Sequence, residues 1–429
     1  MTAQGQTAEQ VTASFLRALK ENPTFGYSSS SQEEQANTST GDNVKVRVLT
    51  QNMFIRPPGI KNNENDYKDE RLQFLITEVL NDYDVVCLQE MFEFGSNRRK
   101  TLINAAKKLG FEYYVASPSK HVWNIQIDGG LMILSRFPIV EFDRITYKRG
   151  MMSDWLASKG VLYAKIAIPS PKSSAKLVDF AKNKKIVASE NDSTLILDKG
   201  ESKAEATVEA ATHLHLFTTH TQASYGALVD MQQPDVKHRL LQLHQFHNFL
   251  ENILPKHRKD GEPVVLVGDF NVDSRAHNLP EDSKYEEEIR DGKDTSVEGK
   301  AMSDILRGEG IDPSILGPNN KDAFKGKKIF EFEDALYSRH GYHPVTFGNI
   351  IIDKDGNVKP RESVLTTKSD NMVMHSIDYL FWYNPGQHQS AKAKLENLAV
   401  VPNFISGKPY TQISDHYGVG GIITFEASE

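Results

Sequence analysis

Five short apolar segments of the sequence end in polar residues, and this feature restricts the fold more than any other. Each segment has the length of a buried strand. Loops at strand ends are held in place by a rigid sheet, so side chains there can meet in one cleft. The five polar ends are Gln51-Asn52, Gln89-Glu90, His220, Gly268-Asp269-Phe270-Asn271 and Ser414-Asp415-His416.

Strand and helix patterns alternate along most of the chain. Residues 44–48 alternate between apolar and polar side chains as in a half-buried strand, and residues 72–79 follow at helical spacing. Pro234 begins a long helical pattern that leads into the apolar run 263–267. Strands and helices mixed in this way indicate sheets that are covered by helices. We therefore predict a layered α/β sandwich.

The composition of successive segments predicts the domain organisation. Residues 1–26 contain an amphipathic helical pattern, and residues 27–43, rich in Ser, Thr, Asn and Gln, are typical of a flexible linker. The main domain is expected to span residues 44–429. Long polar and charged stretches predict insertions near 170–212 and 274–370.

Charge and cysteine content narrow the classes of function. Fifty Lys and Arg residues against 57 Asp and Glu residues give a net charge of −7. Proteins that bind nucleic acid usually neutralise phosphates with basic surfaces, so nucleic acid is not expected as a partner. The single cysteine, Cys87, lies in an apolar run and is predicted to be a buried thiol.

The polar strand ends combine histidines, carboxylates and carboxamides. Such a set can bind a hard divalent cation through oxygen while imidazole moves protons. Taken singly, each element has a structural alternative. Glu90 is also typical of a surface position after a strand. Asp269 and Asn271 are also typical of a turn that caps a helix. Asp415-His416 is also typical of a simple turn.

Together, the motifs QN, LQE, TH, GDFN and SDH resemble the endonuclease/exonuclease/phosphatase superfamily, the deoxyribonuclease-I-like fold of Mg²⁺-dependent phosphoesterases. Within it, three stretches are most similar to the neutral sphingomyelinases: DGGLMILSRFP at 128–138, THTQA at 219–223 and GDFNVDS at 268–274. The resemblance runs from about Val44 to the C-terminus. It implies a two-sheet α/β sandwich with helices on the outer faces, and a catalytic domain over residues 44–429.

The resemblance also implies roles for the matching residues. Glu90 is expected to be the principal ligand of Mg²⁺, for which Mn²⁺ can substitute, and Asn52 to lie beside it. His416 is expected to be the general base for the attacking water, a task that suits an imidazole. Either Asp378, in HSIDYLFW, or Asp415 would orient His416, and the sequence leaves both open.

On the opposite side of the phosphate, His220 is expected to protonate or hydrogen-bond the departing alkoxide. Asp269 and Asn271 are expected to orient the water and to bind a phosphate oxygen. The implied reaction is hydrolysis of sphingomyelin to ceramide and phosphocholine, of the phospholipase C type. Two alternatives remain at this stage, a Mg²⁺-dependent nuclease of the same fold and a non-catalytic interaction scaffold.

Sphingomyelin would be taken from a membrane or micelle. Trp155, which follows Lys148-Arg149, and Trp123 are candidate membrane contacts, with core packing as the alternative for both. The expected contact is peripheral, because no run of about 18 apolar residues is present to form a transmembrane segment. The first residues do not resemble a secretory signal, so the expected location is intracellular, either cytoplasmic or peripheral to a membrane.

Overall fold

The computed structural model describes residues 43–119, 126–169, 210–224, 231–276, 292–316, 325–367, 372–384 and 393–426. The expected N-terminal helix, nearly all of the expected linker and Trp123 lie outside these residues. Most of the expected insertion near 170–212 and parts of the one near 274–370 also lie outside them. The first described strand begins at Val44.

The elements of the described residues are named in chain order. The strands are β1 (Val44–Ile55), β2 (Val85–Met91), β3 (Tyr113–Ala116), β4 (Met132–Ser135), β5 (Ile139–Thr146), β6 (Gly160–Pro169), β7 (Ala210–His220), β8 (Val264–Asp269), β9 (Glu333–Asp334), β10 (Phe347–Gly348), β11 (Ile350–Ile352), β12 (Val358–Pro360), β13 (Met374–His375), β14 (Asp378–Tyr383), β15 (Ala393–Val401) and β16 (Gly418–Phe425). The helices are α1 (Lys68–Phe74), α2 (Arg98–Lys108), α3 (Pro234–His257), α4 (Val297–Arg307), α5 (Pro313–Leu316) and α6 (Ala335–His340). A π-helical turn (Leu75–Val79) and a 3₁₀ turn (Leu80–Asp82) extend α1, and a further 3₁₀ turn spans Met152–Trp155.

Two six-stranded sheets form the centre of the molecule. The first has the order β15-β16-β1-β2-β4-β3 and the second β5-β6-β7-β8-β14-β9. An apolar cluster joins Val48 and Cys87 of the first sheet to Leu162, Leu216 and Val267 of the second. The α1 and α2 helices pack on the outer face of the first sheet, and α3 and α4 on that of the second. The predicted two-sheet sandwich is therefore confirmed.

Strand register brings the polar ends to one edge. In the first sheet β1 and β2 run parallel, with Asn52 opposite Gln89. In the second, β7 runs parallel to β8, with His220 opposite Asp269, and β14 runs antiparallel to β8, with Asp378 opposite Asp269. Since the carboxyl ends of parallel strands share an edge, these side chains are collected there.

A buried glutamine connects the two sheets beneath this edge. The Gln89 Nε2 atom donates hydrogen bonds to the Thr50 Oγ1 and Thr218 Oγ1 atoms, both at 3.0 Å. Thr50 belongs to the first sheet and Thr218 to the second. This polar link holds the sheets in one relative position where the apolar core ends.

The helices pack against the sheets through the apolar side of their amphipathic surfaces. Pro234 lies in the first turn of α3, where a missing N–H costs nothing, and Leu240, Leu243 and Leu250 are buried against the second sheet. The Ser296 hydroxyl caps α4 by accepting a hydrogen bond from the Gly299 N–H. None of the helices in the described part of the chain has the length and apolar character that a membrane crossing requires.

Candidate active site

Asn52 joins carboxylates from both sheets at the shared edge. Its Nδ2 atom donates to the Asp269 Oδ2 atom at 2.9 Å and to the Glu90 Oε1 atom at 3.2 Å. Its Oδ1 atom accepts from the Phe54 N–H at 2.9 Å. The Asn52 amide thus links the Glu90 side chain of one sheet to the Asp269 side chain of the other.

His416 forms a hydrogen-bonded dyad with Asp378. The His416 Nδ1 atom lies 2.8 Å from the Asp378 Oδ2 atom, while the Nε2 atom lies 3.8 Å from the Asp269 Oδ2 atom. The Asp415 Oδ1 atom instead accepts from the Ser414 hydroxyl at 3.2 Å. Of the two carboxylates that the sequence left open, Asp378 is the one bonded to the imidazole.

The pKa values around this dyad are shifted because several carboxylates lie close together in a buried site. Burial alone would lower the pKa of His416, but Asp378, Asp269 and Asp415 together raise it to about 10. Burial, with Glu90 nearby, raises the pKa of Asp415 to about 7. A cation bound among these carboxylates would lower the pKa of His416, because it neutralises their charge.

His220 lies across Asp269 from His416. Its Nε2 atom is 3.4 Å from the Asp269 Oδ2 atom, and its Nδ1 atom is buried without a hydrogen-bond partner among the described residues. Burial, with the positive charges of Lys159 and His416, lowers the pKa of His220 well below its ordinary value. Its imidazole is therefore neutral near pH 7, which favours hydrogen bonding to a leaving group over release of a proton from an imidazolium.

Two site residues have left-handed backbone conformations. Glu90 has φ 53° and Asn271 has φ 51°, a conformation that is uncommon for residues other than glycine. A Cβ atom on Gly130 would lie 3.1 Å from the Glu90 Cα atom, so the glycine of the DGG motif lets the chain pack tightly there. The Asp128 carboxylate holds that turn by accepting from the Gly130 N–H at 2.9 Å. Such strain is concentrated at functional sites.

Asn271 belongs to the same edge as His220. Its N–H donates to the Asp269 Oδ1 atom at 2.9 Å, and its Nδ2 atom donates to the Thr221 carbonyl at 3.0 Å. The GDFN and THTQA segments are thereby bonded to each other. Phe270, between the two polar residues, is buried in the apolar cluster under α3.

Sequence reasoning missed Lys159. Only 5% of its side chain is exposed, and its Nζ atom donates to the Asp154 Oδ2 atom and the Thr221 carbonyl, both at 2.8 Å. The Asp154 Oδ2 atom also accepts from the Ala223 N–H at 2.8 Å. A lysine directly before the apolar strand β6 was the available signal. The ion pair ties the Met152–Trp155 turn to the loop that follows His220.

Arg71 was also missed. It is fully buried, and it donates to the carbonyls of Met53, Phe54, Asp66 and Ile413 at 2.6–2.8 Å. Its partners lie next to two of the polar strand ends. Since nothing distinguishes Arg71 from other charged residues of an amphipathic helix, the sequence contained no signal for this role.

The carboxylates on either side of Asn52 are suited to a hard cation. Glu90 and Asp269 offer oxygen atoms, the donors that Mg²⁺ and Mn²⁺ prefer. Ligand atoms of Asp269, Asp378 and His416 also lie within 4.8 Å of one another. Because Asp378 and His416 are bonded to each other, the side of the site toward Glu90 is the better place for the cation.

Replacement of Asp378 by asparagine is expected to lower kcat by about 10²-fold or more, because the imidazole loses the carboxylate that fixes its tautomer and stabilises its charged form. The acidic limb of the pH–rate profile should move to lower pH, because Asp378 raises the pKa of His416. The profile of kcat/KM against pH measures both effects. Asp415→Asn is the matched control and should move the limb less. Identical profiles for wild type and Asp378→Asn would contradict the orienting role.

The two stacked sheets, their outer helices and one edge lined with carboxylates and histidines define a deoxyribonuclease-I-like α/β sandwich. The sequence of the chain agrees with this class of fold. The chain belongs to the endonuclease/exonuclease/phosphatase family, which matches residues 62–416. The resemblance seen in the sequence motifs is thereby confirmed.

Individual relatives are similar over much of this chain. A sphingomyelinase of Dictyostelium discoideum is 28% identical over 88% of this chain and 98% of its own length. Sphingomyelinase C of Bacillus cereus is 25% identical over 58% of this chain and 64% of its own length. The crystal structure of beta toxin from Staphylococcus aureus has a TM-score of 0.50 at 18% identity, covering 88% of this chain and 99% of that one. This last likeness concerns the fold alone.

Proposed function

We propose that this protein is a Mg²⁺-dependent phosphodiesterase of the phospholipase C type that hydrolyses sphingomyelin or a close relative to ceramide and phosphocholine. The observation that carries the proposal is the buried His416–Asp378 dyad, which faces Asp269 next to the Asn52–Glu90 pair. An imidazole held next to carboxylate oxygens supports the proposal of a base that acts beside a bound cation. The similarity to sphingomyelinases supports the choice of substrate.

In the proposed reaction, water attacks the phosphorus atom in line with the bond to the ceramide oxygen. His416 accepts the proton of the water at Nε2, while Asp378 holds the ring through Nδ1 and stabilises the imidazolium that forms. Asp269 orients the water by accepting a hydrogen bond from it, and the Asn271 side chain donates a hydrogen bond to a phosphate oxygen. No covalent enzyme intermediate is needed.

The leaving oxygen departs on the His220 side. The neutral His220 imidazole hydrogen-bonds the alkoxide, which takes a proton from solvent water to become the hydroxyl of ceramide. The His416 imidazolium then returns its proton to solvent. Glu90, with Asn52 and Asp269 beside it, would hold Mg²⁺, or Mn²⁺ in its place. When bound, the cation would neutralise the phosphodiester charge and the charge that develops on the leaving oxygen.

The test is release of phosphocholine from sphingomyelin in mixed micelles, with Mg²⁺ and with EDTA. Parallel reactions contain single-stranded and double-stranded DNA. Release that requires Mg²⁺, with DNA left intact, is the expected result. Cleaved DNA with intact lipid would overturn the proposed substrate, and no turnover of either would favour the non-catalytic scaffold.

We also propose that the turn around Trp155 contacts the membrane surface peripherally. Trp155 is 40% and Met152 73% exposed, and the Arg149 guanidinium lies 3.7 Å from the centre of the Trp155 ring. Exposed apolar side chains beside basic ones suit a lipid interface. Since Lys159 and Asp154 bind this turn to the loop after His220, contact there would place the site next to the bilayer. The proposed location is intracellular, at a membrane surface.

Replacement of Trp155 by alanine is expected to lower turnover on sphingomyelin vesicles by about tenfold, because burial of one apolar side chain is lost. Turnover of detergent-dispersed substrate should fall much less. Vesicle sedimentation and the two rates measure the difference. Ile329→Ala, which removes another exposed apolar side chain, is the control. Equal losses on vesicles and micelles would show that Trp155 has a structural role.

A further inference from the structure

Phe347 lies directly beside the proposed base, and the reaction as described does not use it. On one side, Phe347 of β10 pairs with His375 of β13, and on the other it forms an antiparallel bridge with His416. The Phe347 ring centroid is 4.8 Å from that of His416 and 6.1 Å from that of His375, and the Phe347 and His375 rings are nearly parallel, at 14°. The three rings form a row from the base to His375, whose side chain is 32% exposed.

A carboxylate stands at the outer end of this ring row. The Asp273 Oδ1 atom accepts from the Ser376 N–H at 2.9 Å and the Arg275 N–H at 3.1 Å, and its Oδ2 atom contacts the His375 Nδ1 atom. Asp273 is nearly buried. It therefore contributes fixed negative charge while both of its oxygens already accept hydrogen bonds.

Aromatic rings beside a fixed negative charge are the recognition chemistry of a quaternary ammonium ion. Such a cation has no N–H to donate, so it needs no hydrogen-bond acceptor. Aromatic ring faces and a nearby negative charge are what attract it. A primary ammonium would instead need acceptors, and those of Asp273 are engaged. The ring row therefore suits a trimethylammonium group better than a primary ammonium.

The position of the ring row indicates which part of the substrate would bind there. In an in-line displacement the attacking water and the leaving alkoxide lie on opposite faces of the phosphorus atom. Phe347 contacts His416, the residue proposed to activate the water, and the alkoxide is expected near His220. A group bound at Phe347 is therefore part of the ester that stays on phosphorus. In cleavage of the phospholipase C type, that part is the head group.

We propose that Phe347, with His375 and Asp273, forms the subsite for the trimethylammonium head group of a choline phosphodiester. This assignment rests on the proposed function and adds head-group selectivity to it. It also explains why an aromatic residue stands next to the base in an otherwise polar site.

The test compares two soluble diesters, p-nitrophenyl phosphocholine and its p-nitrophenyl 3,3-dimethylbutyl analogue, in which carbon replaces the charged nitrogen. The wild-type chain with Mg²⁺ should prefer the choline diester in kcat/KM. Phe347→Leu, which keeps apolar volume without a ring, should lower that preference by about tenfold, mainly through KM for the choline diester. Phe347→Trp, which keeps an aromatic face, should retain it, and thermal unfolding shows that each variant is folded.

The outcomes separate the subsite from the proposed function. Turnover of both diesters without a preference, or an equal preference in wild type and Phe347→Leu, would overturn the subsite and leave the phosphodiesterase intact. Absence of turnover of both diesters and of sphingomyelin would overturn the proposed function, and the subsite with it. If Phe347→Leu does not fold, His375→Leu, at the partly exposed end of the ring row, tests the same preference.

Discussion

Replacement of His416 by glutamine is expected to lower kcat for sphingomyelin hydrolysis by about 10²–10⁴-fold, the contribution that a general base typically makes. Glutamine has a similar size and can still donate a hydrogen bond to Asp378, but it cannot accept a proton at neutral pH. The fold should therefore persist while the chemical step slows. Initial rates at saturating Mg²⁺ and substrate, together with circular dichroism, measure the two effects.

The matched control is His244→Gln. His244 lies on α3, where its Nε2 atom is 3.1 Å from the Asn248 Nδ2 atom, and it belongs to no part of the proposed site. Its variant should keep wild-type kcat. A wild-type kcat in His416→Gln would contradict the assignment of the base.

Replacement of Glu90 by glutamine is expected to remove Mg²⁺ binding as well as activity. Glutamine can still accept the hydrogen bond from Asn52 but carries no charge for the cation. A ligand present at 100 times its Kd stabilises the folded state by about 2.7 kcal/mol. Mg²⁺ should therefore raise the Tm of the wild type and not that of Glu90→Gln, and kcat/KM should fall by about 10³-fold, in line with the several kcal/mol that a metal supplies.

The control for this variant is Glu78→Gln. Glu78 is exposed on the turn that extends α1. Its variant should respond to Mg²⁺ as the wild type does, in Tm and in rate. If Glu90→Gln keeps the Mg²⁺-dependent rise in Tm, the cation binds elsewhere, and the Asp269–Asp378–His416 group becomes the next candidate.

Much of the fold was predictable because it depends on local pattern. The alternation at 44–48 became β1, the helical spacing at 72–79 became α1 and its extension, and the pattern after Pro234 became α3. Buried strands require consecutive apolar residues and amphipathic helices require periodic ones, so both leave a signature within a short window. Polar residues at the ends of such runs stand out for the same reason.

Several contacts at the site were not predictable from the pattern. Arg71 and Lys159 are charged residues whose burial depends on carbonyls and carboxylates supplied by other segments. Phe347 and His375 lie in very short strands, each of two residues, that carry no periodic signal of their own. Their proximity to the base comes from pairing between distant segments.

The sequence by itself determined the strands and helices, the polar strand ends and the family, because each of these depends on short stretches of chain. Only the tertiary structure decided which polar groups meet: Asp378 bonds His416, and Asn52 reaches Asp269 across 217 residues of sequence. The physical reason is that a hydrogen bond depends on the register and stacking of strands, and these result from burying the whole core at once.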